Sequence, residues 1–228
     1  MQFALKPPVQ TTVPIQGSDA LFPVHRIYCV GKNYAAHIKE MGGSGPVRDA
    51  ICFFLKPADA IVTSGRMPYP PGTSNLHYEG ELVMAIGKGG SNISHADALS
   101  HVFGYATGLD MTRRDLQTAA GRIGHPWDTG KAFDHSAPIA PIVPVEQCGH
   151  FDSGSLTLRV NGQVRQDADI SDLIWKNHEI ISELSKLFTL QAGDLIFTGT
   201  PAGVGPVSRG DRIVLNIDRL GELEVTII

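Results

Sequence analysis

Apolar residues in this chain fall mostly in short runs punctuated by Gly, Pro, Asn and Asp, a rhythm that predicts strands rather than long helices. Extended segments are expected at 26–30, 51–55, 81–86, 103–109, 156–160, 164–166, 195–198, 213–218 and 222–228. Asn161-Gly162 lies between two of them, a strong short signal for a hairpin. Leu220-Gly221 marks a second tight turn. Helical composition is found at 33–41, 98–102, 112–121 and 177–188. The last carries Ile180, Ile181, Leu184, Leu187 and Phe188 at i, i+1, i+4, i+7 and i+8, the apolar stripe of an amphipathic helix. Ser94 and Thr112 are candidate N-caps, for a short helix at 98–102 and for the helix at 112–121. Strands outnumber helices and are not separated by them at regular intervals. This argues for a mainly β fold with short helices (α+β), rolled or sandwiched, over a parallel βαβ sheet.

Length and composition sharpen that picture. At 228 residues, 42% hydrophobic and 18% charged, the chain is long enough for one globular domain with a substantial core. Residues 1–24 are Pro-spaced and weakly patterned, so an N-terminal arm over the surface is expected, followed by one catalytic domain at 25–228. The net charge of −4, without a basic stripe, gives no support to nucleic-acid binding. No stretch has the apolar length of a signal peptide core or a membrane span, so the expected location is the cytoplasm. Cys29, Cys52 and Cys148 are odd in number and widely spaced, which fits reduced thiols better than disulfides or a zinc site.

The candidate chemistry begins at His77-Tyr78-Glu79-Gly80-Glu81. In a strand, Glu79 and Glu81 share one face, with His77 beside them. Taken alone, alternating Glu is an ordinary solvated strand face. Asp110, at the end of the apolar run 103–109, changes the weighing, because a carboxylate there is costly without a partner. Three converging carboxylates repel unless a cation joins them, and oxygen ligands select a hard ion such as Mg²⁺, Mn²⁺ or Ca²⁺. Arg113 and Arg114 follow and could pair with substrate carboxylates. His37 and Glu40, three residues apart on a helical turn, form a pair in which the carboxylate could orient an imidazole base. No G-x-S-x-G elbow, P-loop or H-E-x-x-H string is present.

Six strings in order carry a resemblance. They are Tyr28–His37, Phe54-Leu55-Lys56-Pro57, His77–Glu81, Gly108–Asp115, Lys131-Ala132-Phe133-Asp134 and Thr198–Gly205. Together they resemble the fumarylacetoacetate hydrolase family from about residue 25 to the C-terminus. The resemblance implies that family's mixed β-sandwich roll, a Mg²⁺ (or Mn²⁺) site at Glu79, Glu81 and Asp110, and a homodimer. It implies catalytic roles for His37, Glu40 and Lys131, and substrate contacts at Arg114, Gln117, Lys56 and Thr200. Arg113 is added here as a candidate for a distal substrate carboxylate. The stretch 126–131 and the short arm look most like bacterial members acting on fumarylpyruvate in the gentisate route of aromatic breakdown. The implied reaction is hydrolysis of the C–C bond of an acylpyruvate. Alternatives on the same site are oxaloacetate decarboxylation and isomerisation or decarboxylation of a hydroxy-dienedioate. A non-catalytic metal- or carboxylate-binding homologue is the alternative of another class. Gly42–Pro46 is expected to act as a lid hinge that leaves the His37–Glu40 pair disordered or misplaced without substrate. Gly80, where the family more often has a branched residue, is expected to weaken its strand slightly.

Overall fold

The computed structural model describes residues 2–43, 48 and 50–228. Its frame is two mixed sheets. The larger has six strands in the order Val143–Pro144, Val102–Leu109, Gly80–Ile86, Leu195–Phe197, Ile27–Gly31 and Cys52–Lys56. All neighbours are antiparallel except Leu195–Phe197 beside Ile27–Gly31. The smaller has five, in the order Gln163–Asp169, Ser155–Val160, Arg212–Ile217, Gly221–Ile227 and Arg66–Met67. Short helices and three small ribbons fill the edges.

The alternation of side chains explains why the strand Gly80–Ile86, central in the larger sheet, is apolar on both faces from Leu82 onward. Along Gly80–Ile86, Leu82, Met84 and Ile86 face the core shared with Leu156, Leu158, Ile213, Leu215 and Val225 of the second sheet. Val83 and Ala85 point the other way, against Ile27, Cys29, Leu195 and Phe197. With both faces covered, a strand reads as a continuous hydrophobic run rather than alternating with polar residues. Glu81 shares the parity of Val83 and Ala85. It stands where the second apolar face gives way to a cavity.

The predicted strands and turns are present to within a residue or two, except that the strand expected at 164–166 runs from Gln163 to Asp169, and the Asn161–Gly162 hairpin forms with both residues at positive φ (51° and 81°). Within residues 1–24, Thr12–Pro14 and Leu21–Pro23 pair as a ribbon, and Val13 and Phe22 are buried in the second apolar cluster. Other expectations need correcting. Ser94 does not cap the helical turn Ala98–His101; it closes a turn one step earlier by accepting from Asp97 N at 3.2 Å. Thr112 does not cap a helix either. It pairs with His77 in a two-residue strand, and the helix, α2, starts at Arg114 and runs to Arg122. The helix Asn177–Leu187 buries Ile180, Ile181 and Leu184 but leaves Leu187 67% exposed. Its buried face turns toward Ser182 and Ser185, because Ser182 Oγ donates to Ile93 O and Ser185 Oγ accepts from Ile93 N, both at 2.8 Å. All three cysteines are free. Among the described residues, no helix is long and apolar enough to cross a membrane.

Candidate active site

The antiparallel pair Gly80–Ile86 and Val102–Leu109 begins and ends at the same place, with Gly80 opposite Leu109. One residue beyond, Asp110 N donates to Glu79 O at 2.9 Å. Sheet register therefore sets the Glu79, Glu81 and Asp110 carboxylates side by side although Glu79 itself lies just outside the strand. One oxygen from each lies within 4.8 Å of the other two. All three side chains are buried.

Three buried or nearly buried cations surround them. Lys131 Nζ donates to Glu79 Oε2 at 2.7 Å, Asp110 Oδ2 at 2.6 Å and Thr112 Oγ1 at 2.7 Å. Lys56 Nζ sits 2.8 Å from Asp110 Oδ1. Arg114 pairs with Glu79 and with Gln117. Burial alone would raise the Glu79 carboxyl, but Lys131 and Arg114 hold it well below the usual carboxylate range. Burial, with Asp110 and Glu79 close by, pushes Glu81 well above that range even though Gly199 N donates to its Oε2 at 2.7 Å. Burial would lower Lys131, yet Asp110 and Glu79 keep it raised and charged. His77 is lowered to about 4, first by burial and then by Arg114.

This donor set suits a hard divalent cation. The ligands are all carboxylate oxygens, the group chemistry Mg²⁺ and Mn²⁺ prefer. Asp110 Oδ1 meets no donor at hydrogen-bond angle despite the nearby ammonium. A second cluster, His95, His178 and Glu179, is less suited. There Glu179 already accepts from Lys176 N at 2.9 Å as the helix cap and pairs with Arg48.

Across the cavity stands α1, Ala35–Glu40. His37 Nδ1 and Glu40 Oε2 are 3.0 Å apart, and Glu40 Oε1 accepts from Gly203 N at 2.9 Å. The pair is formed in this structure, not displaced as the lid argument expected. Gly42 and Gly43 of the supposed hinge follow α1, while Ser44, Gly45 and Pro46 lie outside the described residues. The helix start is fixed by Asn33, fully buried. Its amide donates to Thr198 O at 2.7 Å and to Trp175 O at 3.1 Å, and accepts from Trp175 N at 2.7 Å.

The loop after Leu195–Phe197 joins the two halves. Gly199 N holds Glu81, Thr200 Oγ1 donates to Gly80 O at 3.0 Å, and Gly203 N holds Glu40. Two glycines make this close weave feasible. Gly199 has φ +104° with Asn33 Cβ 2.7 Å from any added Cβ, and Gly203 has φ +99° with Arg165 O only 1.9 Å from one. Gln166, wholly buried, locks the weave. It accepts from Gly80 N at 2.9 Å and donates to Thr200 Oγ1 and Pro201 O, both at 2.8 Å. A Cβ on Gly80 would stand 3.0 Å from that amide and 2.9 Å from Leu215. Gly80 is thus a space for Gln166 rather than a weakness in the strand. Sequence reasoning missed Gln166 and Asn33; the only signal was an unremarkable polar residue in each segment.

The cavity enclosed by these groups has a volume of about 430 Å³. Among the residues singled out from sequence, His37, Glu79, Glu81, Asp110, Arg114, Gln117, Lys131 and Thr200 border it. Lys56 lies behind, on Asp110. Glu40 reaches the cavity only through His37. Arg113 is not brought in. Its guanidinium lies 4.4 Å from the Phe133 ring centre and donates to Thr129 O at 3.2 Å. The cause is the change from strand to helix between Arg113 and Arg114, which sends adjacent side chains to different sides. Arg122 and Lys32, passed over in the sequence, border the cavity instead.

Comparison with known proteins places this geometry. A family model described as fumarylacetoacetate (FAA) hydrolase C-terminal matches residues 26–228. The crystal structure of fumarylpyruvate hydrolase from Pseudomonas aeruginosa in complex with Mn²⁺ and pyruvate is 52% identical. It superposes with a TM-score of 0.97 over 100% of this chain and 99% of that one. A fumarylpyruvate hydrolase from Ralstonia sp is 47% identical over 176 residues, 77% of this chain and 91% of that protein. The mitochondrial oxaloacetate tautomerase of Bos taurus is 43% identical over 192 residues, 84% of this chain and 86% of that protein.

Proposed function

The chain belongs to the fumarylacetoacetate hydrolase family, and within it we propose an enzyme that hydrolyses the C–C bond of an acylpyruvate, fumarylpyruvate before others, to fumarate and pyruvate. One observation carries the reading: a three-carboxylate cluster able to hold a divalent metal and a histidine, His37, paired with Glu40 for water activation, line the same cavity. The similarity to two fumarylpyruvate hydrolases supports the choice of acyl group.

Glu79, Glu81 and Asp110 would hold the ion, taken to be Mg²⁺. When bound, it supplies Lewis-acid polarisation of the 2-oxo acid and of the enolate that leaves. His37, oriented through Nδ1 by Glu40, takes a proton from water at its other ring nitrogen. The hydroxyl adds to the acyl carbon as the bond from that carbon to the methylene breaks, and a proton returns to the methylene carbon, giving pyruvate. Lys131, whose N–H groups are turned to Glu79, Asp110 and Thr112, contributes its positive charge beside the oxygen on which enolate charge develops. Arg114, steadied by Gln117, and Thr200 position the pyruvyl end. Lys56 keeps Asp110 in place. The same reading takes the protein to be a cytoplasmic homodimer with its catalytic residues in one unit, 25–228.

The tautomerase relatives favour a second reading, keto–enol interconversion of oxaloacetate, since moving a proton to and from the carbon beside the 2-oxo group needs the same base and enolate support. The test is loss of enol absorbance for fumarylpyruvate and acetylpyruvate with Mg²⁺ and then with EDTA. Fast, EDTA-sensitive turnover yielding fumarate and pyruvate is expected. No turnover of either, with oxaloacetate ketonised rapidly, would replace hydrolysis with tautomerisation.

A further inference from the structure

We propose that Arg122, assisted by Lys32, receives the far carboxylate of a two-ended substrate, so that this cavity selects diacids over monoacids of equal length. The proposal rests on the acylpyruvate reading for its near end and adds the determinant of acyl specificity.

The first support is the register of α2. Arg114, Gln117, Thr118, Gly121 and Arg122 all border the cavity. They stand at i, i+3, i+4, i+7 and i+8, one continuous helix face. Arg114 closes the inner end of that face, held on Glu79. Arg122 stands eight residues on, about 12 Å along the axis. Helical side chains lean toward the N-terminus, so the Arg122 head is carried back over the cavity.

The second support is the charge balance. The inner cations Lys56, Lys131 and Arg114 are each matched to a carboxylate. Neither the Arg122 nor the Lys32 side chain has a hydrogen bond or ion pair among the described residues, though both border the cavity. Lys32 also adopts φ 59°, an uncommon left-handed conformation for a residue with a side chain. Strain of that kind gathers at functional sites.

The third support is the wall between the two ends. Phe54 and Trp127 meet edge to face with ring centres 5.9 Å apart, and both border the cavity. Gly31 allows the indole to approach, because a Cβ there would stand 3.2 Å from Trp127 Cζ3. A flat apolar wall suits a planar conjugated chain. A seven-carbon diacid sets its terminal carbons about 7.5 Å apart when extended, at roughly 1.25 Å of reach per C–C bond. Anchored at the Arg114 end, such a chain is directed along this wall toward Arg122, which borders the same cavity. A two-carbon acyl group falls two carbons short of that length.

The experiment compares 2-oxoheptanedioate with 2-oxoheptanoate, binding to the Mg²⁺-loaded protein by calorimetry, for wild type, R122Q, R122K and K32Q. Wild type is expected to prefer the diacid by roughly tenfold or more, the scale of one charge-assisted hydrogen bond. R122Q should bring the ratio close to one, K32Q should lower it less, and R122K should retain part of it. A diacid preference that survives R122Q intact, or that wild type lacks, overturns the proposal. Turnover of fumarylpyruvate is read separately. Diacid preference without hydrolysis would sink the reaction and leave this site standing, and hydrolysis with an unchanged ratio in R122Q would do the reverse.

Discussion

The two ends of the cavity are built by different means. The inner end is made by strand register: Glu79, Glu81 and Asp110 converge because two antiparallel strands start and stop together. It is buried, and its charges are matched by Lys56, Lys131 and Arg114. The outer end is made by two helices and a rim: His37 and Glu40 on α1, Arg122 on α2, and Lys32 between strand and helix. It is more exposed and less cross-linked. Strands fix positions to which chemistry is sensitive, while helix surfaces can exchange side chains without disturbing the sheet. Changes at the inner end should therefore cost both folding and catalysis, and changes at the outer end catalysis or specificity alone.

The strongest challenge to that division is Asp110→Ala, which leaves Lys56 and Lys131 buried together. Activity should fall by about 10³-fold or more, beyond the roughly 10–100-fold of groups that only support a metal ligand. Stability should fall by roughly 3–5 kcal/mol, as for a buried pair that loses one partner. Urea unfolding together with kcat/KM reads both, and a full-stability variant would break the comparison. His37→Gln should instead lower kcat by about 10²–10⁴-fold with Mg²⁺ affinity and unfolding midpoint preserved. A parallel loss of metal binding would move His37 to the inner end. Gln166→Ala tests the weave between the ends. It strands Gly80 N and Pro201 O, at about 2 kcal/mol, and should lower kcat more modestly than the His37 change. Unaltered stability would show that the amide holds nothing.

The smallest effect is in pH. His77 stays neutral in the folded protein down to about 4, whereas an unfolded chain protonates near the ordinary 6.5. The unfolded chain then binds more protons between those values. Stability contributed by His77 rises with pH through that window, is complete above it, and fades as acid is added. Urea midpoints at about pH 5 and 7 for wild type and His77→Gln measure this. Equal acid sensitivity in both would assign it to another group.

The inner end was the legible part. Its ligands follow from strand alternation and from the cost of a carboxylate at the end of an apolar run, both local properties. The hairpin at Asn161–Gly162 and the strand expected at 81–86, apolar beyond Glu81, were legible for the same reason. What escaped depends on contacts distant in sequence. Gln166 acts on Gly80 and Thr200, and Asn33 acts on Trp175 and Thr198. Arg113 was misassigned because one residue decides whether a side chain leaves a strand or a helix, and boundary positions are the least certain part of a sequence reading. Thr112 was misassigned for the same reason. Arg122 was overlooked because its value comes from the helix register begun at Arg114.

The loop Thr198–Gly205 carries one more consequence. Within the five residues from Gly199 to Gly203 it is tied to Glu81 and Glu40 through backbone N–H groups and to Gly80 through the Thr200 hydroxyl, and at Gly203 it is pressed against Arg165 with no room for a methyl group. It has no slack. One inserted residue would have to lift either Glu40 or Glu81 from its seat, whereas the exposed tip at Asn161–Gly162 can lengthen at the expense only of the bonds Asn161 makes to Asp211 and Arg212. As descendants of this chain diverge, their lengths can drift at that hairpin tip but not here, and any graft of a new substrate preference must enter from the helices, leaving this span intact.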